Sequence, residues 1–88
     1  MKTQSKARDY CFKNSWRLRR DRKRVGKMVD YSVDYMEMGQ PRESLKRSLK
    51  QATKEKYPGN PVVVWILLNV MMPIVIKLVL RWWEKRNQ

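Results

Sequence analysis

The chain has 88 residues, with 21 Lys and Arg against 8 Asp and Glu and a formal net charge of +13. A chain this short holds at most one small domain, and a charge this large calls for something negative nearby. With no His and a single Cys, it lacks an imidazole base, the usual zinc ligand sets and any internal disulfide.

The charge is unevenly placed. Residues 1–60 carry 17 of the Lys and Arg, whereas residues 61–80 hold 13 Val, Ile or Leu and one cation. The mean hydropathy of −0.77 averages two different regimes. The first 27 residues contain 11 Lys or Arg, only Asp9 and Asp21 as acids, and no apolar run. No standard signal peptide is therefore expected, and neither an N-terminal acylation site nor a prenylation box is present.

The pattern predicts an all-α protein: short basic helices, as a hairpin or loose bundle, then one long C-terminal apolar helix acting as a single membrane span. A basic module covers 1–57, a Pro/Gly/Asn hinge 58–61, the apolar helix 62–83 and a short polar tail 84–88.

In chain order, the first predicted helix runs from Ser5 to Arg24. Ala7, Tyr10, Cys11 and Leu18 share one side, and Phe12 and Trp16 lie nearly opposite. Its second half packs six cations into eight residues, and whether the helix continues or breaks near Gly26 stays open. Cys11 reads as a small inert residue; the competing reading is a thiol activated by neighbouring cations.

The second helix, Arg24 to Met38, has the clearest period. Val25, Met28, Val29, Val33 and Met36 follow one face, and Tyr31, Tyr35 and Met38 widen it to an arc of about 220°. Asp30, Asp34 and Glu37 form an acidic ridge, either solvated or docked on cationic segments of this chain or a neighbour. Gly39 and Pro41 end this helix and open the next. The third helix, Pro41 to Lys56, has only a thin stripe of Leu45, Leu49 and Ala52. A core this sparse is marginal, so the wide arc needs cover from the other helices and from a partner chain.

Beyond the Tyr57–Pro61 cluster, 20 residues at 1.5 Å each match the ~30 Å hydrocarbon layer of a bilayer. Each Val, Ile or Leu favours insertion by roughly 0.3–0.6 kcal/mol, about 4–8 kcal/mol together, while Lys77 costs up to about 3 kcal/mol at mid-membrane. Trp82 and Trp83 fit an interfacial belt, and Trp65 fits less decisively. Six Lys or Arg in residues 42–60 against three beyond Leu80 orient the N-terminal part to the cytoplasm. Asn69 and Pro73 pair an amide with the carbonyl that proline leaves unbonded, and with Lys77 they mark a helix-association or water-facing side. The same helix would also suit burial in a protein assembly or an interfacial position.

No catalytic residues, metal site, cofactor or small-molecule substrate is expected. The polyanion-binding candidates are Arg17, Arg19, Arg20, Arg22, Lys23, Arg24 and Lys27, suited to anionic lipid headgroups or nucleic acid. Phe12, Trp16, Trp82 and Trp83 are the stacking or interfacial aromatics. The expected function is a non-enzymatic, membrane-anchored protein that binds polyanions and a protein partner or a second copy of itself. The alternatives are a structural component of a virion or other nucleoprotein assembly, with the apolar helix buried among proteins, and a holin-like or toxin-like permeabilising oligomer.

Overall fold

A computed structural model describes residues 3–86. Four α-helices account for most of them: α1 (Thr3–Asn14), α2 (Arg22–Glu37), α3 (Leu45–Lys56) and α4, which runs without interruption from Pro61 to Arg86. No strand occurs among the described residues, and the fold is all-α. The predicted polar tail begins inside α4; Asn87 and Gln88 lie outside the described residues.

Local chemistry sets the helix ends. The chain leaves α1 at Asn14, whose side-chain amide donates to the Tyr10 carbonyl at 2.7 Å, a local bond that competes with helix continuation. A short 3-10 turn, Leu18–Asp21, follows. Asp21 then caps α2, accepting from the Arg24 N–H at 3.3 Å and pairing with the Arg24 guanidinium at 3.0 Å. The predicted Ser5–Arg24 helix is thus two elements, and the break falls before Gly26 rather than at it. Gly26 lies inside α2, where it leaves room for the Arg8 side chain: a Cβ there would sit 3.0 Å from Arg8 Cζ.

Gly39, at φ 76°, closes α2, with Gln40 N–H reaching back to the Tyr35 carbonyl at 3.4 Å. Asn60 caps α4 by accepting from Val63 N–H at 3.4 Å, and Pro61 occupies the first turn, where no N–H is needed. Over Leu67–Met71 the helix widens to a π turn, with Met72 N–H donating to the Leu67 carbonyl. This turn lies just ahead of Pro73, which cannot donate, and the widening absorbs the missing bond.

The helices alternate up and down. Gln4 Nε2 donates to Asp34 Oδ1 at 2.7 Å and Arg8 Nε to Asp30 Oδ1 at 2.8 Å, so α1 is antiparallel to α2. The hydroxyls of Tyr31 and Ser48 join α2 to α3. Arg42, leading into α3, pairs with Glu84 near the end of α4 at 3.5 Å.

One core serves all four helices. Ala7 and Cys11 of α1, Leu18, the Val25–Met36 face of α2 and Leu49 of α3 pack on Leu67, Met71, Met72, Val75, Leu78 and Val79 of α4. The Val25–Met36 face of α2 is covered by α1, α3 and the apolar helix of its own chain, whereas Met38, at the edge of the wider arc, is 71% exposed. The radius of gyration is 12.3 Å, against about 12 Å for a compact chain of this length.

Candidate polyanion and membrane surfaces

The cationic run is dispersed by the fold rather than presented as one stripe. Arg17 and Arg20 hold their guanidinium carbons 5.6 and 5.0 Å from the Trp16 ring centre, and Arg22 lies 5.5 Å from that of Phe12. Arg19 and Lys23 are exposed. Arg24 is partly committed to the fold through Asp21 and through Tyr57, whose ring centre is 5.7 Å away. Lys27 turns toward Lys56 across a small cleft that Arg24 and Tyr57 also line. Only three ion pairs form among the described residues, Arg8–Asp30, Arg24–Asp21 and Arg42–Glu84, so most of the cations are left to face solvent or an external anion.

Charge crowding is visible at one end of the bundle. The Lys56 ammonium has its pKa lowered, first by partial desolvation and then by the Lys27 ammonium beside it. That end brings together the start of α2, the end of α3 and, through the Tyr57–Asn60 turn, the start of α4. There α4 is bare: none of Pro61–Ile66 is buried, and Val62 and Trp65 are 68% and 62% exposed. α4 is long and apolar enough to cross a membrane, with a mean hydropathy of 2.4 over a stretch that is only 33% buried.

The predicted helix-association residues lie on the outer side of α4. Asn69, Pro73 and Lys77 are all exposed, and the Asn69 amide is satisfied within its own helix by the Trp65 carbonyl at 2.9 Å. Trp82 and Trp83, expected at an interface, are half-buried against the core with centroids 6.2 Å apart, and Arg86 lies over both rings.

Part of the acidic ridge is internal glue. Asp30 binds Arg8 and raises its pKa, chiefly through their hydrogen bond, and Asp34 accepts from Gln4, whereas Glu37 is exposed. Tyr31 and Tyr35 stack beside Asp34 over an open groove facing Ser48 and Met38. Cys11 is buried, and burial pushes its thiol up to about 12, which leaves almost no thiolate near neutrality. No group of acids and thiol capable of holding a metal occurs among the described residues.

Sequence reasoning passed over the grouping of Trp16 with Lys77 and Arg81. Asn14, Trp16, Arg17, Pro73, Lys77 and Arg81 line a cleft of about 490 Å³ between the end of α1 and α4. The i, i+4 spacing of Lys77 and Arg81 signalled a shared face, but only the packing of α1 shows what that face meets. No protein-family model matches the chain, and comparison with curated proteins and with solved structures finds no match.

Proposed function

We propose that this chain is a non-enzymatic, membrane-associated protein that docks on an anionic bilayer by its 57–66 end and holds polyanions against its cationic helices. The observation that carries the reading is the bare apolar start of α4, set beside crowded cations. Six residues of helix rise about 9 Å, within the ~5–10 Å depth to which interfacial helices sink. Arg24, Lys27, Lys54 and Lys56 would meet the headgroups, each contributing about 1 kcal/mol near an anionic leaflet. On this reading the cationic part faces the cytoplasm, whose leaflet carries the negative surface potential.

Docking by this end leaves the core intact. Inserting all of α4 would strip it from α1–α3, at about 1.5–3 kcal/mol for each buried Val, Leu or Met left uncovered. A second reading, a structural component of a nucleoprotein assembly, draws support from the polar outer stripe Asn69, Lys77 and Arg81, because such a helix suits burial in protein as well as lipid contact.

The test is sedimentation of the full chain with vesicles. Binding to phosphatidylglycerol-containing vesicles, weakened by salt and much lower on pure phosphatidylcholine, is the expected result. A chain that stays in the supernatant with both lipids refutes the membrane reading.

A further inference from the structure

The seam between α1 and α4 carries a second recognition surface, separate from the docking end and independent of the membrane reading. Its lower part is the Trp16 cleft. Arg17, Lys77 and Arg81 supply three cations, no carboxylate lines it, and Pro73, Ile74 and Leu78 form an apolar floor. Trp16 is 56% exposed although it is the largest side chain there. The Arg17 and Arg20 guanidinium carbons lie 5.6 and 5.0 Å from its ring centre, which sets the exposed indole among cations.

The seam continues upward. Arg81 also lines a second cavity of about 350 Å³ with Tyr10, Glu84 and Lys85. The Lys85 ammonium lies 5.2 Å from the Tyr10 ring centre. The one carboxylate here, Glu84, is turned to Arg42 at 3.5 Å. Two aromatic rings therefore sit at the ends of a track of cations, with Arg81 common to both halves.

A positive groove interleaved with aromatic platforms fits an extended polyanion whose units also carry flat rings. We propose that the α1–α4 seam binds single-stranded nucleic acid, with phosphates along Arg17, Lys77, Arg81 and Lys85 and a base stacked on Trp16. Lipid phosphate fits less well. Exposed apolar residues cluster at Val62, Trp65 and Ile66, while the seam is bordered by Arg17, Arg20, Lys77, Arg81 and Lys85 and offers acyl chains no continuation. A duplex fits poorly too, because its bases are already stacked.

The test is fluorescence anisotropy of a labelled oligothymidylate with the full chain, across a salt series. The wild type is expected to bind the single strand more tightly than a duplex of equal length. Lys77→Ala with Arg81→Ala should weaken binding about tenfold or more and flatten the log–log salt slope by about 1.4, the release expected for two phosphate contacts on a single strand. Trp16→Ala should weaken it about 5- to 150-fold, the equivalent of ~1–3 kcal/mol of stacking, and Trp16→Phe should recover part of the loss. All three positions are exposed, so helicity by circular dichroism should be unchanged. Lys46→Ala with Arg47→Ala removes the same charge from α3 and should cost less than about threefold. Equal losses in the two double variants, equal affinity for duplex, or no binding at all would overturn the proposal. Loss of anionic-vesicle binding in the Lys77/Arg81 variant would reassign the seam to lipid headgroups and overturn it as well.

Discussion

Leu67 and Trp65 stand two residues apart on α4 and face opposite ways, 1% and 62% exposed respectively. Substituting each by Ala separates the two roles given to this helix. Leu67 is locked in the shared core, so Leu67→Ala should cost about 2–5 kcal/mol in lost burial and cavity formation. That is a large share of the ~4–13 kcal/mol expected for a domain of this length. At about 4–8 °C per kcal/mol, a 3 kcal/mol loss lowers Tm by about 12–24 °C. Trp65→Ala removes almost no internal packing, and Tm should move by no more than about 2 °C. It should, however, cut vesicle affinity. An indole has about 200 Å² to bury; with 62% of Trp65 exposed, about 120 Å² would enter the interface. At ~25 cal/mol per Å² this is about 3 kcal/mol, or roughly a hundredfold in the partition constant. Thermal unfolding by circular dichroism and vesicle titration measure the two effects on the same preparations. If Leu67→Ala leaves Tm unchanged and weakens vesicle binding instead, the face placed in the core is the lipid-facing one, and the closed bundle is not the working form.

Two further outcomes follow from the α1–α2 contact. Asp30→Ala should destabilise the fold by about 1 kcal/mol in urea unfolding, because it strands the Arg8 guanidinium over Gly26, and the loss should shrink at high salt because both partners are about one-third exposed. The Cys11 thiol, raised to about 12 by burial, keeps its proton in the folded state at pH values where an unfolded thiol, near 8.5, gives it up. Stability from this group is therefore complete below about pH 8.5 and is lost as pH climbs toward 12, by about 2 kcal/mol at pH 10. Urea midpoints against pH should fall less steeply in Cys11→Ala than in the wild type, and parallel curves would refute this burial effect.

Much of the architecture was legible in the residues. The period of Val25, Met28, Val29, Val33 and Met36 located α2 and its buried face, the Gly39 turn ended it, and the Tyr57–Pro61 cluster marked the start of the apolar helix within a residue. These are local properties: side-chain spacing and turn chemistry act within a few residues of chain. The break after Asn14 was less legible, since 17–24, six cations with only Leu18 and Asp21 among them, carries no apolar period to reveal it.

What the residues in isolation determined is that one stretch is apolar, that the rest is strongly cationic, and that both are helical. Which side of the apolar helix is covered, and by what, depended on contacts between residues far apart in the chain. Lys77 and Arg81 are only polar interruptions in a hydrophobic run until α1 lays Trp16 and Arg17 beside them. Likewise Val62 and Val75 are the same residue type, yet one is 68% exposed and the other fully buried. Whether a side chain ends in the core or on the bare tip is decided by the number of helices packed around it, which α1–α3 supply along most of α4 but, Val63 apart, withhold at Pro61–Ile66.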